Sequence, residues 1–209
     1  MKKKIIFALT VLMLLIPGVI FGVTKWIEHQ NSPYNVSDVL DDKGVKLYKR
    51  GFRLLEEQLA TYIKEHYSGV SKIEFSPIFV QGGDGQSMFR ANIVPVIYDL
   101  QGNKAYLGKK IGENSYSHYG SFWDVRLDFN GWDEEIIELK VGDDFIDISE
   151  SKKLPVEAKL STKPKIDENI EALVQEHQLV DVKKSENGSP DAEVVYNTEI
   201  RKGDFLEWH

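Results

Sequence analysis

VKLYKRGFRLLEEQLATYIKEHYSGVSKIEF, residues 45–75, contains a change of hydrophobic period that decides the fold. In its first part apolar side chains recur every three or four residues, which places them on one face of a helix. In its last part, Lys72 to Ser76, apolar and polar residues alternate as they do in a half-buried strand. The stretch therefore predicts a helix followed by a strand, with Asp41 or Asp42 capping the helix and Gly69 ending it. The predicted apolar face consists of Val45, Tyr48, Phe52, Leu55, Leu59, Tyr62 and Ile63.

Several segments with strand character follow this helix. Met88 to Tyr98 is the strongest, and Pro95 within it predicts an edge position or a bulge, because proline cannot donate to a sheet ladder. Phe122 to Phe129 alternates, with Trp123 predicted on the buried face. A second helix is predicted over Asp167 to Gln178, with His177 on its apolar side. Further strands are predicted at Lys104 to Ile111, Glu135 to Val141, Phe145 to Ile148 and Glu193 to Ile200.

This order predicts an α+β fold: one helix packed on a mostly antiparallel sheet of about five to six strands, with a second short helix. The domain is expected to span residues 43–209, after a stalk at 28–42 and an N-terminal segment at 1–27.

The N-terminal segment contains an uncharged run, Ile5 to Thr24, that follows three lysines. A helix of that length reaches roughly 30 Å, the thickness of a bilayer's hydrocarbon core. The preceding lysines favour a cytoplasmic N-terminus, and Trp26 suits the membrane interface. The sequence therefore predicts a single-pass transmembrane helix in the cell membrane with the C-terminal domain outside; a cleaved signal peptide is the alternative.

The charge of the chain limits its partners. The formal net charge is −7, and since the first 24 residues hold three lysines and no acid, the remainder carries −10. Such a balance opposes nucleic-acid binding, which needs a basic face. It favours a basic partner or a cation, or it keeps the domain in solution. The chain has no cysteine, so disulfides contribute nothing to its stability.

The sequence contains none of the compact catalytic motifs. A thiol nucleophile is absent, there is no Gly-x-Ser-x-Gly elbow, and the five histidines form no zinc-binding pair. We therefore predict no catalytic residue, no cofactor and no metal. Paired carboxylates for glycoside cleavage stay open, because such pairs meet in space rather than in sequence.

Two acidic groups have the residue types of a calcium site. They are Asp128, Asn130, Asp133 and Glu134 around a glycine, and Asp143, Asp144 and Asp147. Neither has the spacing of an EF-hand loop, so we interpret the first as a hairpin turn and the second as a solvated surface.

Aromatic side chains beside acids often make a protein-binding face, because aromatics carry much of the interface energy. We therefore predict a partner-binding surface formed by Tyr116, His118, Tyr119, Asp128, Trp132, Asp133, Asp143 and Asp144.

The whole layout resembles TipC-type immunity proteins of Gram-positive bacteria. The resemblance lies in the basic start, the apolar run, and the helix-to-strand passage YIKEHYSGVSKIEF at Tyr62 to Phe75. It implies an anchored protein outside the membrane that neutralises a type VII-secreted antibacterial toxin by binding it. No binding residue carries over. The alternatives are an accessory subunit of a cell-envelope complex and a carboxylate-based wall hydrolase.

Overall fold

The computed structural model describes residues 20–83, 85, 87–129, 134–161 and 163–209, with the side chain of Phe129 excluded. The chain divides into two compact units, Met1–Asn35 and Val36–His209. In the first unit, helix α1 covers residues 20–30 and ends in a turn. Residues 5–19 of the predicted transmembrane run lie outside the described residues. Among the helices that are described, none combines the length and the apolar character needed to cross a membrane.

Helix α2, Asp42–His66, is the longest element of the second unit. It begins where the sequence predicts, because the Asp41 carboxylate accepts a hydrogen bond from the backbone N–H of Gly44 at 2.7 Å. The predicted apolar face is confirmed: Phe52, Leu55 and Ile63 are fully buried. Gly69 does not end the helix, which stops at His66 with an extended residue at Tyr67.

Gly69 instead separates two strands. Its φ is +86°, and a Cβ there would lie 2.3 Å from the carbonyl oxygen of Asp181, so the turn has no room for a side chain. The strands of the described residues are β1 Tyr67–Ser68, β2 Val70–Phe75, β3 Ile78–Gln81, β4 Arg90–Ile93, β5 Pro95–Asp99, β6 Lys104–Tyr106, β7 Lys110–Ile111, β8 Asn114–Ser115, β9 Tyr119–Gly120, β10 Val125–Phe129, β11 Glu135–Val141, β12 Asp144–Asp147, β13 Lys183–Lys184, β14 Glu193–Val195 and β15 Ile200–Lys202.

The predicted single sheet is several sheets. Two have four strands each, in the orders β14-β2-β5-β6 and β15-β3-β4-β9. Short interruptions separate β2 from β3, β4 from β5 and β14 from β15, and at each of them the chain passes from one of these sheets into the other. Met88 to Tyr98 is interrupted at Val94, and Pro95 begins β5 at the end of this interruption. Strand β5 is an inner strand, so the predicted edge position of Pro95 is wrong. Antiparallel pairs predominate, but β14 and β15 pair in parallel with β2 and β3.

A third sheet, β10-β11-β12, is an antiparallel meander. Its strands follow the predicted hairpin, whose tip, including Asn130 and Gly131, lies outside the described residues. Leu127 and Gly51 show how closely helix α2 lies on this sheet, because a Cβ on Gly51 would come 2.3 Å from Leu127 Cδ2. Most buried apolar residues of α2 and of these three sheets belong to one main core cluster, whereas Phe79 on β3 belongs to a small second cluster with Val94 and Phe205.

Helix α3, Lys165–Gln175, confirms the predicted second helix but ends earlier than expected. Its inward residues Ile166, Ile170 and Leu173 are buried. His177 was expected on the apolar side, but it lies beyond the helix end, is exposed, and has a φ of +56°. Together these elements confirm a mixed α+β fold.

Candidate functional site

A cavity of about 290 Å³ lies where helix α2, strand β11 and the start of helix α3 meet. Gln58 and Leu59 on α2 line it, together with groups from two loops. Its wall includes both charged and apolar side chains, a combination that ligand pockets also have. The remaining lining residues are Tyr119, Asp124, Lys140, Gly142, Asp143, Leu160, Ser161, Lys163, Pro164, Lys165 and Ile166.

Gln58 fixes the distance between the helix and the two segments that face it. Its side-chain amide donates to the carbonyl oxygen of Ala158 at 2.7 Å and to that of Lys140 at 3.1 Å. Gln58 is buried, and its hydrogen bond to Ala158 is shielded from water, whereas the bond to Lys140 is partly buried. One helix residue therefore holds both the end of β11 and the segment around Ala158 against α2.

Asp124 and Lys165 form an ion pair in the cavity wall, with 3.2 Å between Oδ1 and Nζ. The side chain of Asp124 is 15% exposed, and its Oδ2 accepts a hydrogen bond from the backbone N–H of Gly120 at 3.0 Å. Burial raises the pKa of the Asp124 carboxyl above its usual value, although Lys165 and the Gly120 N–H act in the opposite direction. The pair joins the turn before β10 to the first residue of α3.

Tyr119 carries a buried hydroxyl that has no hydrogen-bond partner among the described residues. The residue is 2% exposed, and burial raises the pKa of its phenol well above the usual value. An unpaired buried hydroxyl costs on the order of 1–3 kcal/mol of stability, so the native fold keeps Tyr119 at a penalty.

Two large aromatic side chains stand exposed next to this cavity. Phe122 is 55% exposed and Trp123 is 50% exposed, and their rings meet edge to face at 5.1 Å between centroids. Lys165, which lines the cavity, has its Nζ 5.6 Å from the centroid of the Trp123 ring. Trp123 was expected in the core, but it lies in the turn at 121–124, before the strand begins.

The structure distributes the predicted partner-binding residues over several places. Tyr119 and Asp143 both line the cavity, and Asp143 is exposed. Tyr119 was predicted to lie in a loop of the partner-binding surface, but it lies in β9 and is part of the core. Trp132 and Asp133 lie outside the described residues.

The other predicted residues do not gather at the cavity. Tyr116 is partly buried against the main core. His118 Nδ1 lies 2.7 Å from the carbonyl oxygen of Gly108, and its ring meets that of Phe205. Asp128 and Asp144 are exposed on strands β10 and β12.

Sequence reasoning missed Gln58, Phe122, Lys140, Lys163 and Lys165 as members of one site. Of the three lysines, only Lys163 lies in the lysine-rich segment Ser149 to Pro164, whose composition with two prolines predicts a loop or an irregular edge strand. Nothing local in the sequence indicates that this connection meets the middle of helix α2.

Buried carboxylates occur elsewhere, each with its own partners. Asp167 accepts hydrogen bonds from Tyr62 and from Tyr67, the latter at 2.7 Å, and pairs with Lys184. Asp99 accepts from the backbone N–H groups of its own turn. In the part of the chain that the structure describes, no group of three or more histidine and acidic residues is arranged to hold a metal ion.

No known protein family, no curated protein and no solved structure matches this chain.

Proposed function

We propose that the chain is a membrane-anchored binding protein of the cell envelope, with an N-terminal transmembrane helix and an extracytoplasmic α+β body. The support for the anchor is the sequence, namely the three lysines and the uncharged run Ile5 to Thr24. In its sharper form, the proposal makes the protein an immunity protein that neutralises a secreted antibacterial toxin, as the TipC-type layout suggests.

The observation that carries the binding role is the exposed pair Phe122 and Trp123 beside a lined cavity. Tryptophan and phenylalanine are enriched at protein interfaces and depleted on the remaining surface, because their burial supplies much of the binding energy. Two such rings in contact with each other and half exposed form an apolar surface that a partner would cover. We therefore assign the partner-binding surface to this pair and the adjoining cavity.

The location is tested with reporters fused to the C-terminus. A reporter that is active only outside the cytoplasm is expected to be active, and one that needs the cytoplasm is expected to be silent. The opposite result would exclude an extracytoplasmic role.

The immunity role is tested in cells that lack the gene and are exposed to neighbours that secrete antibacterial proteins. Such cells are expected to survive less well, and the natural gene is expected to restore survival. The double variant F122A/W123A should fail to restore it at equal protein level. A matched control is M88A/L100A, which also removes two exposed apolar side chains, at 67% and 73% exposure, from positions away from the cavity lining.

Two outcomes would contradict this function. If deletion leaves survival unchanged against every secreting neighbour, the immunity role fails. If co-purification of the anchored protein recovers only other membrane proteins, the role of an accessory envelope subunit replaces it.

A further inference from the structure

The cavity has a local charge opposite to that of the body around it. Residues 25–209 carry a formal charge of −10, yet the segment from Lys152 to Lys165 contains five lysines and one acid. Three lysines line the cavity, Lys140, Lys163 and Lys165, against two acids. A positive region on an acidic surface attracts the acidic groups that the rest of the surface repels.

Two of these lysines are available to form an ion pair with a ligand. Lys165 is paired with Asp124, as described above. Lys140 and Lys163 form no direct ion pair with any residue in the described ranges, and Lys163 is exposed. Lys140 acts on Asp124 only through its charge, without a direct contact, so both ammonium groups can pair with a ligand without first breaking an ion pair.

The same cavity also has an apolar part. Leu59, Leu160 and Ile166 line it, and the exposed Phe122–Trp123 pair adjoins it through Lys165. A ligand that fits both parts has an anionic group next to an apolar group. An acidic protein segment with a neighbouring apolar side chain has this chemistry.

The shape favours a protein segment over a lipid surface. A cavity of about 290 Å³ that reaches Gln58 and Leu59 on the central helix accommodates a side chain. A flat bilayer surface would use the exposed lysines but would not enter such a recess.

We propose that the lysine-lined cavity receives an acidic side chain of the protein partner, while a neighbouring apolar residue of that partner packs on Phe122 and Trp123. This inference rests on the proposed binding function and specifies the chemistry of the partner. It replaces the basic partner that the net charge alone favours, because the local charge at the contact decides the pairing.

The first test uses a defined probe, a short peptide with one phenylalanine flanked by glutamates. The full anchored chain is ¹⁵N-labelled and held in detergent micelles. The peptide is titrated into it, and the backbone amide shifts of the exterior part are recorded. Saturable shifts at residues 122–124 and 160–166 are expected. The same peptide with glutamine in place of glutamate should bind at least about tenfold more weakly, since the charge pairs are lost.

The second test uses charge variants of the protein. K140Q/K163Q should weaken binding of the glutamate peptide, and K140E/K163E should weaken it further. The control K46E/K49E changes the net charge as much as K140E/K163E does, but at exposed helix positions that do not line the cavity. It should change the affinity for the peptide less than about twofold. Circular dichroism melting curves establish that each variant is folded.

Several results would overturn the proposal. Equal affinity for the glutamine peptide, or equal loss in K46E/K49E, would show that no specific site for an acidic group exists. Saturation of the same amides by acetate alone would assign the site to a small free anion. Binding to vesicles of phosphatidylglycerol and phosphatidylcholine, without binding to the peptide, would assign it to the membrane surface.

The inference and the proposed function fail separately. If K140E/K163E protects cells as well as the natural protein does, the acidic-group site is wrong while the binding function stands. If the natural protein gives no protection, the proposed function is wrong, and the peptide titration still decides the chemistry of the cavity.

Discussion

Both carboxyl oxygens of Glu56, in the middle of helix α2, accept a hydrogen bond from the backbone N–H of Asn197, at 3.3 and 3.2 Å. Glu56 is fully buried, and Asn197 lies in the interruption between β14 and β15. Burial raises the pKa of Glu56 to about 8, and the Asn197 N–H and Arg53 only partly oppose this. The helix and the C-terminal segment are thus joined through a carboxyl group that is protonated at neutral pH.

The burial of this carboxyl group predicts a loss of stability at alkaline pH. The folded-state pKa of Glu56 lies above the unfolded value of 4.5, so its contribution to the free energy of unfolding is complete below that pH and lost as the pH rises to about 8. E56Q should remove this pH dependence. At pH 9 its free energy of unfolding should exceed that of the natural protein by about 3–5 kcal/mol at most. Urea unfolding of both proteins at pH 5 and pH 9 measures it, with E57Q as the neighbouring control. An unchanged pH profile in E56Q would contradict the assignment.

Two tyrosines should respond in opposite ways to the same substitution. Y119F removes a buried hydroxyl without a partner and should leave the protein equally stable or up to about 1 kcal/mol more stable. Y67F removes the 2.7 Å hydrogen bond to Asp167 and should cost about 1–3 kcal/mol. Denaturant unfolding of the two variants side by side makes each the control for the other. A marked destabilisation by Y119F would mean that its hydroxyl has a partner in solution.

Ser76 is expected to stabilise the passage between the two four-stranded sheets. It is fully buried, and its Oγ accepts a hydrogen bond from the backbone N–H of Val94 at 2.8 Å. S76A leaves that N–H without its partner, so the free energy of unfolding should fall by about 1–3 kcal/mol. The exposed Ser117 provides the control variant S117A, which should stay within about 0.5 kcal/mol of the natural protein. Equal values for the two variants would contradict the prediction.

Gly188 lies against the end of helix α2. Its φ is +56°, and a Cβ there would come 2.0 Å from the carbonyl oxygen of Lys64. G188A should therefore cost at least about 2 kcal/mol, through backbone strain and the collision together. Gly102 also has a positive φ, +86°, but a Cβ there meets nothing within 4 Å. Thermal unfolding should accordingly show a smaller loss for G102A, about 1 kcal/mol, and a larger loss for G102A would be inconsistent with this account.

Local patterns predicted the helices and strands well where one hydrophobic period continued without interruption. The apolar face of α2 was found because seven residues repeat at helical spacing, and the Asp41 cap because its side chain precedes that pattern. The alternation from Phe122 to Phe129 wrongly predicted a buried Trp123. The backbone N–H groups of Trp123 and Asp124 both donate to the carbonyl oxygen of Gly120, so these residues form a turn before the strand. Alternation describes side chains only where the backbone is extended.

The candidate site was largely beyond local reasoning. Its wall combines Gln58 with Tyr119, Lys140 and Lys163, which are distant in sequence and meet only through the packing of α2, β11 and α3. The parallel pairing of β14 and β15 was hidden for the same reason, since strand signals indicate extension but not direction. Burial of Tyr119 likewise depends on neighbours that no nearby residue reveals.

The parallel pairing of β14 and β15 has a consequence for biosynthesis. Glu193 pairs with Lys72, about 120 residues earlier, so this closure is among the slowest that the chain must make. During synthesis, one side of β2 and of β3 keeps its ladder groups unmatched until residues 193–202 have left the ribosome, and an unmatched strand is a template for aggregation. Nascent chains stalled before that point would expose two unpaired strand edges. A truncated product that ends there would expose them permanently.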